Sequence, residues 1–262
     1  MKRVSIIGTV GVPANYGGFE SLVENIIGYN SPSDIHYTVY CSAKSYPHRQ
    51  SVYKNADLKY VPLDANGSQS ILYDIVSLIK ATKKSDVILI LGVSGCCFLP
   101  IYRLFLKKRL VINIDGLEHR REKWGKYAKA FLKFSEKMAV KYADAVIADN
   151  KGIQDYVREE YGKEAELIAY GGDHVLCDIA DVEEQILEKY GLKNICYSFS
   201  LCRIEPENNV HVILEAFKAS GKELFFVGNW NRSTYGKYLL EKYAGYGNIH
   251  LLSPIYLSLI HI

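Results

Sequence analysis

Apolar positions in this chain fall either in short continuous runs or in one-sided helical stripes, and the two alternate. Val4-Ser5-Ile6-Ile7-Gly8 is a β-branched run closed by glycine, the pattern of a buried parallel strand. Residues 9–18 carry too much Gly and Pro to continue a strand or open a helix. Beyond them Phe19, Leu22, Val23, Ile26 and Ile27 recur at helical spacing and predict a one-faced helix. Strand-like runs follow at 36–41, 58–61, 87–91, 110–114, 145–148 and 166–169, with helical patterns at 70–81, 124–142 and 151–161. The alternation restarts further on: helix 182–190, strand 196–201, a helix through Val212, Ile213, Ala216 and Phe217, strand 224–227, helix 235–243 and strand 249–252. Strands alternating with helices predict an α/β fold around mostly parallel sheets.

Composition narrows the class. Of 262 residues, 48% are hydrophobic and 23% charged, the make-up of an ordinary globular protein with ample core. A net charge of +3 gives no support for nucleic acid as a partner. The six cysteines form no C-x-x-C, which predicts reduced, mostly buried thiols and no zinc site. The first strand begins at once, so no signal peptide is expected, and no apolar run approaches the roughly 20 residues of a membrane span. Together these predict a cytoplasmic protein.

In open parallel sheets ligands bind beyond the carboxyl ends of the strands. That rule selects three loops here. In the first, a helix starting after Gly17-Gly18 aims backbone N–H groups at the loop, an arrangement suited to a phosphate or diphosphate, or else only a tight turn. It is neither a G-x-G-x-x-G fingerprint nor a P-loop, and the second strand ends Tyr40-Cys41-Ser42 without a ribose-binding acid. A nucleotide-dependent oxidoreductase or epimerase is accordingly disfavoured. The second loop is Gly92-Val93-Ser94-Gly95, either a turn or a ligand contact. The third, from Asn113 to Trp124, packs three acids, a histidine and three basic residues beyond a buried strand; Asp115-Gly116 also suits a plain turn.

The helix after that loop carries Lys126, Lys129, Lys133, Lys137 and Lys141 at spacings of three and four, with Trp124, Tyr127, Phe131, Phe134, Met138 and Tyr142 as its apolar positions. The default reading is a solvated lysine face over an aromatic core. With Arg103, Lys107, Lys108 and Arg109 near in sequence, the alternative is a surface drawn to anionic membrane. Further on, Arg203 follows a buried strand and precedes a helix, a position suited to a diphosphate; the competing reading is an ion pair with Glu205 or Glu207.

The run Gly8-Thr9-Val10-Gly11-Val12-Pro13-Ala14-Asn15-Tyr16-Gly17-Gly18-Phe19-Glu20 resembles the opening of bacterial rhamnosyltransferases of the retaining GT-B type, glycosyltransferase family 4. Asp115, Gly116, Leu117, Glu118, Arg121, Lys123 and Trp124 match that family's D-G-L-E-x-x-R-x-K-W block, while His119 stands where the family has an aromatic residue and is assigned no role. The segment around Arg203 resembles the donor motif G-R-x-x-P-E-K-G, with Asn208 replacing its lysine. The resemblance implies two Rossmann-like domains, 1–175 on the acceptor side and 176–262 on the donor side. It implies Asp115 and Glu118 as catalytic candidates. Gly17, Gly18, Arg203 and Asn208 would meet the donor diphosphate, and Tyr16, Phe19, Glu20, Arg121 and Lys123 the acceptor.

The implied reaction moves a sugar, rhamnose, from a nucleotide diphospho-sugar such as dTDP-rhamnose to a lipid-linked saccharide in surface polysaccharide assembly. No metal and no cofactor beyond that substrate are expected, since helix N-termini and Arg203 would offset the leaving group's charge. The last residues, Leu257 to Ile262, depart from the family, so the second domain is expected to be incomplete, with an exposed apolar edge and weak turnover. The alternative is a non-catalytic membrane-surface or acceptor-binding fragment that needs a partner to complete its site.

Overall fold

A computed structural model describes residues 1–14, 17–29, 34–114, 116–121, 124–172, 188 and 195–254. The chain forms two compact units, Met1–Val175 and Leu176–Ile262.

The first unit is built on β1 (Lys2–Ile7), α1 (Gly18–Gly28), β2 (Ile35–Ser42), β3 (Val52–Tyr53) and β4 (Ala56–Val61). It continues through α2 (Ser70–Thr82), β5 (Val87–Leu91), α3 (Leu99–Phe105), β6 (Arg109–Ile114), α4 (Lys126–Tyr142), β7 (Ala145–Ala148), α5 (Lys151–Tyr161) and β8 (Glu166–Leu167). The strands form one eight-stranded sheet in the order β3-β4-β2-β1-β5-β6-β7-β8, parallel throughout except where β3 runs antiparallel to β4. Because the chain first moves outward from β1 to β2 and later crosses back to β5, the strand order reverses between β1 and β5.

Side chains of alternate residues feed two cores. Ile6, Val39 and Leu91 pack under α1 with Val23 and Ile27, whereas Ile7, Tyr40 and Ile90 join the side chains of α2, α3, α4 and α5. Right-handed crossovers require this division: a connection moving one way across the sheet covers one face, and those moving the other way cover the opposite face. Burial on both faces explains the unbroken apolar run of β5 and the nearly continuous ones of β1 and β6.

The second unit is smaller: β9 (Tyr197–Leu201), α6 (Val210–Ser220), β10 (Glu223–Val227), α7 (Thr234–Tyr243) and β11 (Ile249–Leu252). Its parallel sheet has the order β11-β10-β9. Val210, Leu214, Leu239 and Tyr243 of the two helices pack with Leu224, Phe226 and Ile249 on one face. On β9 the opposite face leaves Tyr197, Phe199 and Leu201 exposed. The helix expected at 182–190 lies, apart from Glu188, outside the described residues.

The pattern reading places most elements within a residue or two but does not predict α3, and three further differences have simple causes. β3 has only two residues, too few to show a period. The strand expected at 166–169 pairs only through Glu166–Leu167. The helix expected from Trp124 starts at Lys126, with Gly125 as its cap.

Candidate functional site

The reversal of strand order between β1 and β5 puts the loop after β1 and the loop after β5 side by side, the position where open α/β sheets bind ligands. Gly8 makes the approach possible. It has φ +86, and a Cβ there would lie 2.1 Å from the Leu91 carbonyl oxygen. Gly11, with φ +134, is pressed onto the Cys41 and Tyr46 side chains in the same way.

The loop is held from inside. Glu20 of α1 is buried and accepts hydrogen bonds from Thr9 Oγ1 and from the Val10 N–H, both at 2.7 Å. Burial raises its pKa, while the bonds from Thr9 and Val10 pull the other way. One turn on, Glu24 accepts from the Ala14 N–H at 2.6 Å and the Tyr53 hydroxyl at 2.7 Å, and pairs with Lys54 Nζ at 3.1 Å. Burial opposes ionisation of Glu24, but these three partners prevail and hold its pKa below the usual value. Tyr46 donates to the Pro13 carbonyl at 2.9 Å, and the buried Tyr73 hydroxyl lies within 2.9 Å of the carbonyls of both Thr9 and Tyr40. Glu20, expected on the acceptor side, turns its carboxylate inward and braces the loop. Gly17 and Gly18 lie exposed where α1 begins, and Gly17, as its cap residue, brings no side-chain hydrogen bond to the helix start. Phe19 is half-buried, its ring 3.6 Å from where a Gly92 Cβ would be. Tyr16 is outside the described residues.

The loop after β5 is braced from two helices. Asp74 of α2 accepts from the Gly95 N–H at 3.2 Å, and burial pushes its carboxyl up to about 7 against that bond. Ser135 of α4 donates to the Val93 carbonyl at 2.5 Å and accepts from the Cys97 N–H at 2.9 Å. Beside this loop Asn113, at the end of β6, is buried, its side-chain oxygen without a hydrogen-bond partner among the described residues; its Nδ2 donates to the Tyr170 hydroxyl at 3.4 Å.

In the loop after β6, Glu118 accepts from Arg121 at 2.5 Å through Oε1 and from the Trp124 indole at 3.3 Å through Oε2. Of the four charged candidates of this loop, the two that are described thus meet one another. Asp115 and Lys123 lie outside the described residues. His119, assigned no role from the family pattern, contacts the buried Glu136 carboxylate at 3.0 Å. Glu136 also accepts from the hydroxyls of Tyr156 at 2.6 Å and Tyr161 at 2.5 Å, so the loop is tied to α4 and α5.

In the second unit Arg203 is exposed just beyond β9 and forms no ion pair with a described residue; the expected competitor, a pair with Glu205 or Glu207, is not made. Asn208 donates to the Arg203 carbonyl at 2.6 Å, closing the turn that carries the arginine. Its side-chain amide is thus engaged with backbone rather than presented beside the guanidinium. Trp230 is core, its indole donating to the Leu252 carbonyl at 2.9 Å.

Glu24, Tyr46, Tyr73, Asp74 and Ser135 were not singled out from sequence. The available signal was the pair Glu20 and Glu24, two acids one helical turn apart, directly after a loop whose backbone N–H groups needed acceptors.

The two Rossmann-like units define the GT-B fold class. The sucrose-phosphate synthase of Thermosynechococcus elongatus is similar with a TM-score of 0.75 at 15% identity, over 97% of this chain and 71% of that one. HepE of Anabaena, solved with UDP-glucose, is similar with a TM-score of 0.67 at 13% identity, over 98% of this chain and 70% of that one. The UDP-GlcNAc 2-epimerase of Neisseria meningitidis bound to UDP-GlcNAc gives 0.57 at 14% identity, over 99% of this chain and 74% of that one. Residues 1–173 match the family described as a domain of unknown function, DUF1972, and the chain belongs to that family. No curated protein matches the sequence.

Proposed function

We propose that this protein is a glycosyltransferase that moves a sugar, rhamnose in the first instance, from a nucleotide diphospho-sugar to a lipid-linked saccharide, with retention of configuration. The observation that carries the reading is the braced glycine-rich loop at the point where the strand order reverses, in a chain of GT-B fold. Similar structures solved with UDP-glucose and UDP-GlcNAc support a nucleotide sugar as the ligand. Glu20, Glu24, Tyr46 and Tyr73 hold the loop from Thr9 to Ala14, and a ligand at Gly17 and Gly18 would meet the backbone N–H groups that open α1. Because Glu20 already lies buried at this helix start, a diphosphate there gains from the exposed N–H groups only if Glu20 stays screened by Thr9 and Val10.

Arg203, exposed and unpaired among the described residues, is assigned to the donor diphosphate, with Asn208 holding its turn. Asp115 and Glu118 are assigned to the acceptor hydroxyl, with Arg121 setting the direction of the Glu118 carboxylate.

The test is thermal unfolding with dTDP-rhamnose, UDP-glucose, UDP-GlcNAc and NAD in turn. A nucleotide sugar at 100 times its Kd adds about 2.7 kcal/mol of stability, and NAD adds none. Arg203→Ala is expected to weaken that ligand by about 1.5–3 kcal/mol, the worth of a hydrogen bond to a charged group. Absence of any shift with all three nucleotide sugars would sink the donor reading and leave the chain as an acceptor-binding or membrane-surface protein.

A further inference from the structure

The exposed face of α4 differs from the expected one. Lys126, Tyr127, Ala130, Phe134, Lys137 and Lys141 are the exposed residues of this helix, and they share a single stripe. Tyr127 is 92% exposed and Phe134 50%, so both aromatics expected in the core stand among the lysines. The one acid of α4, Glu136, is buried on another side.

The neighbouring helix continues the surface. On α3, Ile101, Leu104 and Phe105 are 52%, 77% and 79% exposed, and Lys107 and Arg109 are exposed just after it. Both helices cover the same face of the sheet, so their outer sides face the same solvent. Their carboxyl ends are joined: Arg103 of α3 donates to the Tyr142 carbonyl at 2.7 Å and pairs with Asp144 at 2.6 Å. That pair occupies Asp144, the acid at this junction. The result is a surface about 25 Å long, the length of α4, that combines exposed rings and aliphatics with five cations and no unpaired acid on either helix.

We propose that the α3–α4 surface docks the protein on a bilayer carrying anionic headgroups. Apolar side chains this exposed are costly in water unless something covers them. Rings and aliphatics among lysines fit the interface of an anionic membrane, where the apolar groups enter the headgroup region and the cations lie over phosphates. A second copy of the same surface fits poorly, because it would bring like charges together. The inference deepens the proposed function, in which the acceptor is carried on a lipid, but its test requires no turnover.

The experiment is flotation of the full chain with vesicles of equal parts phosphatidylglycerol and phosphatidylcholine, and with phosphatidylcholine alone. Binding is expected to the anionic vesicles, at least about tenfold weaker to the neutral ones, and reduced by raised salt. Lys137→Glu with Lys141→Glu, and separately Leu104→Ser with Phe105→Ser, are each expected to lower binding on the order of tenfold or more, with the fold checked by circular dichroism. Equal binding to the two vesicle types, no binding by the unaltered chain, or both folded variants binding as it does would overturn the proposal. Loss of a dimer in these variants, seen by sedimentation, would assign the surface to a second copy instead. If docking fails while a nucleotide sugar still stabilises the chain, only the docking inference falls; the reverse result removes only the donor reading.

Discussion

Asp74 shows what a single buried carboxyl does for a loop. Its one hydrogen bond, from the Gly95 N–H, shapes the turn after β5, and burial drives its pKa from 3.8 to about 7. A folded-state pKa above the unfolded one means that the native state binds an extra proton between the two values. Stability is therefore fullest below about 4 and is lost as pH rises through about 7. Asp74→Asn keeps an acceptor for Gly95 without the ionisation. At pH 8 it is expected to be more stable than the parent by about 2–4 kcal/mol, the difference vanishing towards pH 4. Urea unfolding across this range checks it; parallel pH profiles for the two proteins would show that Asp74 is hydrated enough to ionise freely. Nothing in the Ser70–Thr82 pattern marks this residue, because an acid on an amphipathic helix reads as solvent-facing until the loop above it is known.

Among elements, what the sequence discloses depends on how repetitive the signal is. β5, β7, α5 and β11 lie where the pattern predicts, since each is a complete run with a clear stop; α5, for example, has Asn150 capping the Ile153 N–H at 3.0 Å and Gly162 at φ +63. The glycine loop was legible because Gly8 and Gly11 have to be glycine. Its supports were not, because Tyr46, Tyr73 and Glu24 reach it from other elements. The α4 stripe misleads for a related reason: at 3.6 residues per turn, Tyr127 and Phe134 lie one turn-edge away from the buried set, and only α3 and the sheet decide which side is covered. The same packing creates the Glu136 cluster, where one carboxylate serves Tyr156, Tyr161 and His119. Glu136→Ala strands these partners and is expected to cost about 3–5 kcal/mol, and Glu136→Gln, which keeps one acceptor, about 1–2 kcal/mol. Chemical denaturation gives both values. A cost below 1 kcal/mol for the alanine variant would mean that water replaces the carboxylate.

At the level of the whole molecule the two units differ in how their sheets are covered. The first has helices on both faces of eight strands; among the described residues of the second, α6 and α7 cover one face of three strands, and Phe199 and Leu201 stay exposed on the other. Backbone hydrogen bonds open more readily where fewer apolar contacts cover them. Amide exchange in β9, β10 and β11 is thus expected to proceed at a lower opening free energy than in β1, β5 and β6. Mass-resolved hydrogen exchange tests this. Equal protection in the two sheets would mean that the exposed face of β9 is covered in solution. The class of fold was readable from alternation alone, whereas the relation of Arg203 to a ligand depends on chemistry that pattern does not carry.

The contact of Gly11 with Cys41 gives the loop a chemical clock. Cys41 is fully buried, its Sγ lies 2.8 Å from where a Gly11 Cβ would be, and burial pushes its thiol up to about 11. A thiol reagent can reach it only when the loop lifts, whereas the exposed Cys196 is open to attack at once. Labelling of Cys41, resolved by peptide mass from the equally buried Cys96, then times the loop's excursions, and a ligand seated on Gly17 and Gly18 is expected to slow it without touching the sulfur.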